Sequence, residues 1–271
     1  MKSNKLYLIP TPIGNYDDIT IRSLKILELV DVLLCEDTRE TGKLLSNFNI
    51  KKRLVSCHDH NEEQMCVKVI EYLDEGLNVG LVTDQGTPII SDPGYKIVAH
   101  VAKENYNIVS LPGATAFVPA LTLSALAPQP FLFYGFLNSK KSKQFKELDT
   151  LKNYTFTMIF YESPKRLSYT LKNMMEIFGN RKIAIVRELT KKYEEVIRTD
   201  INKYLSNEFE IKGEIVLVVE GIKQNYQNLS IEEHINLYLQ DDITLNDAMK
   251  KVAKERGLAK SIIYKEYHQN K

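Results

Sequence analysis

Short apolar segments alternate with segments of helical periodicity along most of this chain. In the first part, residues 6–9, 32–35, 79–83 and 109–111 have the character of buried strands, and residues 21–30, 62–75 and the segment after Gly94 have helical spacing. A repeated strand–helix order is typical of a largely parallel sheet covered by helices. The sequence therefore predicts an α/β fold over this part.

Two prolines, Pro128 and Pro130, indicate a domain boundary, so we expect a first domain at 1–124 and a second at 125–224. In the second, residues 131–134, 155–160, 182–186, 194–198 and 214–220 are β-rich, and a helix over 164–178 is expected to end at Gly179. This part is predicted to be another α/β domain with more antiparallel pairing. The polar residues 223–230 are predicted to be a linker.

The last part, 225–271, is predicted to be a small helical module. Ser230 and Thr244 are suitable N-caps, Gly257 interrupts the second helix, and a third helix is expected to begin at Ser261. A helix, a short turn with glycine and a basic helix form a helix-turn-helix pattern. A plain helical cap on the core would produce the same pattern.

The net charge of the 271 residues is only +1, so composition alone does not indicate a nucleic-acid partner. Locally, residues 250–271 hold seven basic and two acidic side chains. A second basic cluster consists of Lys140, Lys141, Lys143 and Lys146. Such clusters are usually solvated faces, and contact with RNA is the alternative.

The three cysteines are odd in number and lack C-x-x-C spacing, so neither a disulfide framework nor a zinc site is expected. The five histidines show no metal-ligand spacing with them. No apolar run reaches the roughly 20 residues of a membrane helix. Residues 6–9 are too short for a signal-peptide core. We therefore expect a cytoplasmic protein without a membrane segment or a metal.

Four loops follow predicted strands: "PTPIGN" at 10–15, "CEDTR" at 35–39, "TDQGTPIISDPG" at 83–94 and "LPGATA" at 111–116. Ligands of open α/β sheets bind beyond the carboxyl ends of the strands. Each loop alone would be an ordinary turn or helix cap, but together they predict one small-molecule pocket. Phosphate-loop and G-x-G-x-x-G motifs are absent from the sequence, so neither triphosphate hydrolysis nor dinucleotide binding is supported.

The segments "LYLIPTPIGNYDDIT", "CEDTRETGKLL", "DQGTPIISDPGY", "LPGATAFVPAL", "FYESPKR" and "RELTK", with "GEIVLVVEG", resemble the tetrapyrrole methylase superfamily. Specifically, they resemble its small-subunit ribosomal RNA 2′-O-methyltransferase I branch. The resemblance spans residues 5–221, and the helical tail is similar to that family's C-terminal module. Cys35, Gln85 and Lys165 depart from the family pattern, and Lys165 puts in doubt any essential histidine after the Glu-Ser-Pro.

The resemblance implies two α/β domains of the class III methyltransferase type, with S-adenosylmethionine in the cleft between them. It implies a homodimer acting on 16S rRNA or the small ribosomal subunit, where a cytidine near the decoding centre is methylated on its ribose. By position in the motifs, ten residues are expected at the cofactor: Ile13, Asp84, Gly86, Thr87, Ile90, Thr115, Ala116, Tyr161, Leu189 and Gly213.

Methylation of a ribose hydroxyl needs alignment behind the methyl group and benefits from a general base. The carboxylate candidates are Asp37 first, then Glu36, Asp84 and Glu162. Arg39 is expected to hold a phosphate or to orient Asp37. Alternatively, Glu36, Asp37 and Arg39 form a structural ion-pair network or shape an RNA groove.

RNA is expected to contact basic side chains, namely Arg39, Lys43, the Lys140–Lys146 cluster, Arg166 and the tail. Two other functions stay open at this point: methylation of a small tetrapyrrole, and a non-catalytic nucleic-acid-binding module. The basic tail and the "EDTR" loop favour RNA over a tetrapyrrole, and a binding module would leave the four loops unexplained.

Overall fold

The first half of the chain forms a five-stranded parallel sheet. The computed structural model describes residues 4–207, 211–222, 229–239 and 243–269. The strands are β1 (Lys5–Leu8), β2 (Val32–Cys35), β3 (Arg53–Ser56), β4 (Val79–Leu81) and β5 (Asn107–Ser110), in the order β3-β2-β4-β1-β5. Every pairing is parallel, so all five carboxyl ends lie at one edge.

This sheet is covered by helices α1 (Ile21–Leu29), α2 (Thr38–Asn47), α3 (Glu62–Asp74) and α4 (Tyr95–Lys103), and α5 (Phe117–Leu123) follows its last strand. The Thr20 hydroxyl accepts a hydrogen bond from Ser23 N–H and begins α1. Sequence analysis did not identify α2 or β3. Helix α2 begins with the polar sequence "TRETGK" and buries only Thr41, Leu44 and Leu45, so it shows little apolar periodicity.

The second sheet contains β6 (Phe131–Phe136), β7 (Thr157–Glu162), β8 (Lys182–Arg187), β9 (Glu195–Asp200) and β10 (Ile215–Val219), in the order β6-β7-β10-β8-β9. Only β6 and β7 pair in parallel. The expected shift toward antiparallel pairing is therefore confirmed. Helices α6 (Lys141–Leu151), α7 (Pro164–Phe178) and α8 (Ile201–Leu205) accompany it, and Gly179 ends α7.

The two faces of the second sheet bury different partners. One face packs against α6, α7 and α8 around Phe160 and Leu217. The other face packs Ile159 and Val216 against Ala120 and Leu121 of α5. Because α5 follows the last strand of the first sheet, it connects the two sheets within one compact unit, residues 1–222. The boundaries expected at 124/125 and 224/225 stay predictions.

The described residues from 229 onward belong to a second compact unit and form the helices α9 (Ile231–Leu239), α10 (Leu245–Arg256) and α11 (Lys260–Gln269). Ser230 and Glu233 exchange hydrogen bonds as a capping box, and Thr244 caps α10. Gly257, at φ +64°, ends α10 as expected. Of the linker expected at 223–230, residues 223–228 lie outside the described residues.

The core of this unit holds apolar side chains from α9, α10 and α11: Ile231, Ile235, Ala248, Met249, Val252, Ala253, Ile263 and Tyr267. Within the described ranges, no helix is long and apolar enough to cross a membrane.

Candidate functional site

The loops after β1, β2, β4 and β5 meet at the carboxyl edge of the parallel sheet. Thr11 N–H donates to Gly86 O over 2.9 Å, and Gly86 N–H donates back to Thr11 O over 3.1 Å. The Thr87 hydroxyl donates to Ala114 O over 2.9 Å, which connects the loops after β4 and β5. Asp37 N–H donates to a carboxylate oxygen of Asp84 over 3.1 Å. Hydrogen bonds therefore hold all four loops in one place.

Two glycines allow these loops to approach so closely. A Cβ atom at Gly113 would lie 2.3 Å from Pro10 Cβ, well inside van der Waals contact. Gly86 has a φ of +87°, a left-handed conformation that side-chain-bearing residues rarely adopt. Glycine is therefore required at both positions, because a side chain would clash at 113 and would strain the backbone at 86.

A cavity of about 440 Å³ lies beyond this edge, between the loops after β1, β4 and β5 and the second sheet. Its volume is within the roughly 300–1,000 Å³ of small-molecule sites. All ten residues expected at the cofactor line it: Ile13, Asp84, Gly86, Thr87, Ile90, Thr115, Ala116, Tyr161, Leu189 and Gly213. Glu162 also lines it, whereas Glu36, Asp37 and Arg39 do not. The contacts of these residues with a bound molecule stay a prediction.

Sequence analysis missed part of the lining, namely Gln85, Ser91, Asp92, Phe136, Ser163, Pro164, Val186, Glu214, Ile215 and Val216. Asp92 lies in the loop already singled out, two residues after Ile90, and its carboxylate was the available signal. Phe136 has no comparable signal, because its position depends on an irregularity in β6.

The wall from the second sheet contains unusual backbone conformations. Gly213 has a φ of +90°, and a Cβ there would lie 2.3 Å from a carboxylate oxygen of Glu188. Glu188 and Thr190, on either side of Leu189, also have positive φ, at 49° and 65°. Ile89, in the loop after β4, has a φ of 79°. Such conformations in residues other than glycine are costly and concentrate at functional sites.

Carboxylates gather at the side of the cavity near β2 and β4. Partial burial, more than any neighbouring charge, raises the pKa of Asp84 above its ordinary value. Burial likewise raises the pKa of Asp92. Burial and then the negative charges of Asp84 and Asp92 raise the pKa of Glu36. These three groups accept protons more readily than ordinary carboxylates do.

Asp37 has a different environment. Its side chain caps α2 by accepting from Arg39 N–H over 2.8 Å, and it forms two further hydrogen bonds with the Arg39 guanidinium. These hydrogen bonds lower the pKa of Asp37. The structure therefore pairs Asp37 with Arg39, a contact that is part of both the orienting role expected for Arg39 and the ion-pair alternative.

Glu162 is buried and engaged by three partners. Its carboxylate accepts from Ser163 N–H over 2.8 Å and from the Thr170 hydroxyl over 2.5 Å, and it pairs with Arg166 over 3.5 Å. Arg166 also donates to the backbone carbonyl oxygens of Leu137 and Asn138. Both side chains therefore fix the structure around the cavity, and Arg166 is committed to contacts within the chain.

The other basic residues expected to contact RNA lie at the surface. Lys43 pairs with Glu40 over 2.7 Å. The cluster at the start of α6 is exposed, as are most basic side chains of α10 and α11; exposed members are Lys140, Lys141, Lys143, Lys146, Lys250, Lys251, Lys254, Lys260 and Lys265. Arg256 is half-buried and donates to Leu229 O and Ser230 O.

The cavity has the mixed composition that is typical of small-molecule sites. Its walls are mainly apolar, from Ile13, Ile90, Leu189 and Val216, with a few polar groups such as Asp84 and Thr87. A Cβ atom at Gly86 would lie only 3.2 Å from Ile13 Cγ2, so the loops after β1 and β4 pack closely in this wall. In the described part of the chain, no three His, Cys, Asp or Glu side chains are grouped to hold a metal, and all three cysteines are buried thiols.

Comparisons with known proteins agree with this geometry. The family model of the Tetrapyrrole (Corrin/Porphyrin) Methylases matches residues 5–204. The ribosomal RNA small subunit methyltransferase I of Bacillus subtilis (strain 168) is 46% identical over 97% of this chain and 94% of its own length. The protein of the same name from Escherichia coli O157:H7 is 39% identical over 96% of this chain and 93% of its own.

Solved structures with the same architecture include a uroporphyrin-III C-methyltransferase from Thermus thermophilus complexed with S-adenyl homocysteine. It has a TM-score of 0.58 at 14% identity, and the match covers 80% of this chain and 97% of that one. A diphthine synthase has a TM-score of 0.61 at 13% identity and covers 81% and 90%. At these identities the likeness shows the fold.

Proposed function

Because the chain belongs to the tetrapyrrole methylase family, and within it to the ribosomal RNA small subunit methyltransferase I family, we propose that it methylates 16S rRNA with S-adenosylmethionine. The acceptor is the ribose 2′-hydroxyl of a cytidine near the decoding centre. The enzyme works in the cytoplasm as a homodimer. The observation that carries the proposal is the cavity, where loops from both sheets surround a space of cofactor size.

The cavity supports methyl transfer through alignment and exclusion of water. When bound, S-adenosylmethionine supplies an electrophilic methyl group on its sulfonium, a chemistry that needs no metal. Ile13, Gly86 and Leu189 of the cavity wall would hold this cofactor, whose methyl group would pass to the ribose oxygen while the sulfur keeps the bonding electron pair. Fixed apolar walls that hold the two reactants in line account for much of such a rate, of order 7–11 kcal/mol in favourable cases.

Among the four candidate bases, the geometry favours Asp84 as the group that takes the hydroxyl proton. Asp84 lines the cavity, and burial raises its pKa. Asp37 is already bound to Arg39 and to the N-terminus of α2, and Glu162 is enclosed by three partners. Glu36 has a raised pKa but does not line the cavity.

The exposed lysines of α6 and the basic faces of α10 and α11 support RNA binding, since phosphate contacts need accessible positive charge. Deletion of residues 229–271 should then weaken RNA binding more than binding of S-adenosylhomocysteine. An equal loss of both affinities would indicate a structural role for the tail.

Transfer of tritium from labelled S-adenosylmethionine tests the function. The protein is incubated with small ribosomal subunits, with naked 16S rRNA and with a tetrapyrrole precursor. Label is expected in the rRNA, at a nuclease-resistant 2′-O-methylated position. Label in the tetrapyrrole alone, or no calorimetric binding of S-adenosylmethionine by the folded protein, would contradict the proposal.

Single-turnover rates test the base. Asp84→Asn is expected to slow transfer by about 10²–10⁴-fold, the usual contribution of a general base. Asp37→Asn, Glu36→Gln and Glu162→Gln serve as comparison variants. If Asp84→Asn keeps the wild-type rate while one of the others loses it, the base is that other residue.

A further inference from the structure

Four aromatic rings form a continuous column from the core between the sheets to the mouth of the cavity. Phe117 stacks on Phe133 with ring centroids 4.5 Å apart, and Phe133 meets the edge of Tyr161 at 5.0 Å. Tyr161 in turn meets Phe136 at 5.5 Å. The first three rings are half-buried, whereas Phe136 is 58% exposed. The column therefore ends in an apolar ring that is open to solvent at the cavity.

A bulge in β6 gives Phe136 this position. Phe131 and Phe133 pair with Thr157 and Ile159, and the register then shifts, so that Phe136 pairs with Tyr161. The shift centres on Gly135, which has a φ of +82°. Without the extra residue, Phe136 would lie on the opposite face from Phe133, because side chains alternate along a strand. Bulges are known to redirect side chains near active sites.

The position of the ring is also rigid. Tyr161, the ring that supports Phe136, is half-buried and packs against the buried cluster that includes Ala120, Val186 and Val216. Immediately after Phe136, Arg166 donates to Leu137 O over 3.0 Å and to Asn138 O over 3.3 Å. Phe136 is therefore an exposed apolar ring at the cavity with a supporting contact on each side.

Proteins that recognise RNA nucleotides out of a helix stack the bases on exposed aromatic rings. Phe136 lines the same cavity as Asp84 and Asp92, and the exposed Lys140, Lys141 and Lys143 follow it at the start of α6. This combination of a flat apolar ring, a carboxylate in the cavity and nearby positive charge matches the base, ribose and phosphate of one nucleotide.

We infer that Phe136 stacks on the base of the nucleotide to be methylated and so places its ribose in the cavity. The inference rests on the proposed function and names the residue that selects an unstacked nucleotide. A stacked base brings its 2′-hydroxyl to the same position in every binding event, which the alignment of the reaction requires. The alternative role for the ring, packing against the cofactor, is an outcome of the test.

The test compares Phe136→Ala, Phe136→Leu and Phe136→Tyr in the full-length protein. Phe131→Ala is the matched control, since Phe131 is a 41% exposed phenylalanine on the same strand and does not line the cavity. Steady-state methylation of small subunits gives kcat/KM for RNA, and calorimetry gives the affinity for S-adenosylhomocysteine. Circular dichroism confirms that each variant is folded.

We expect Phe136→Ala and Phe136→Leu to lower kcat/KM for RNA by about 5- to 150-fold, as loss of one base–aromatic stack predicts. Phe136→Tyr and Phe131→Ala should stay near wild type, and the affinity for S-adenosylhomocysteine should be unchanged throughout. Wild-type kcat/KM in Phe136→Ala, or an equal loss of S-adenosylhomocysteine affinity, would overturn the stacking role. Absence of methylation by the wild-type protein would instead refute the proposed function, and the stacking role with it.

Discussion

Gly113 lies so close to Pro10 that one added methyl group at position 113 should push two loops of the cavity apart. In Gly113→Ala, the new Cβ would lie 2.3 Å from Pro10 Cβ and 2.6 Å from its Cγ. Carbon atoms in contact prefer about 3.5–4.0 Å, so the loops after β1 and β5 must separate by more than about 1 Å. The proline ring cannot rotate away as a flexible side chain would.

Overpacking of this kind costs roughly 1–3 kcal/mol in free energy of unfolding. The same loops carry Ile13 and Thr115 into the cavity wall, so the separation should also weaken binding of S-adenosylhomocysteine. Gly42→Ala is the matched control. Gly42 lies inside α2 with open space around its Cβ position, and there the change should stabilise the protein by about 0.5–1 kcal/mol.

Urea unfolding measures the change in free energy from the midpoint and slope, and calorimetry measures the affinity for S-adenosylhomocysteine. We expect the two glycine variants to shift the midpoint in opposite directions, and only Gly113→Ala to lose affinity. If Gly113→Ala unfolds at the wild-type urea concentration and binds normally, the two loops are not packed as described.

Three further predictions concern pH, a buried network and salt. Burial lowers the pKa of His234 in the folded protein, so the unfolded state binds a proton more readily than the folded state does. Helices α9–α11 should therefore lose stability as the pH falls below about 6.5. Hydrogen exchange that shows no acid-dependent opening of these helices would contradict this. The Thr170 hydroxyl accepts a hydrogen bond from Gln144 and donates one to Glu162. Thr170→Val removes both and should lower the free energy of unfolding by about 1–3 kcal/mol, seen as a lower Tm. An unchanged Tm would mean that the hydroxyl is not part of the network. Changing Lys140, Lys141 and Lys143 to Gln should weaken RNA binding, measured by fluorescence anisotropy. The slope of log K against log salt concentration should become shallower by about 0.7–0.9 for each lost phosphate contact. An unchanged slope would mean that α6 does not contact the RNA.

Local features of the sequence predicted much of the fold. The strand–helix alternation indicated both sheets, because apolar periodicity depends only on neighbouring residues. Ser230, Thr244 and Gly257 marked the ends of helices in the tail, because caps satisfy backbone groups within one turn. The motifs that carry the family resemblance also named ten residues that the structure places around one cavity.

Tertiary structure alone decided how the polar groups are used. Asp37 and Asp84 are both aspartates after a strand in the sequence. In the structure Asp37 pairs with Arg39 and caps α2, whereas Asp84 lies in the cavity wall. Phe136 faces the cavity only because a bulge at Gly135 shifts the alternation of β6. The physical reason is common to both: pairing, register and burial depend on segments that are distant along the chain, and these determine pKa values and side-chain direction.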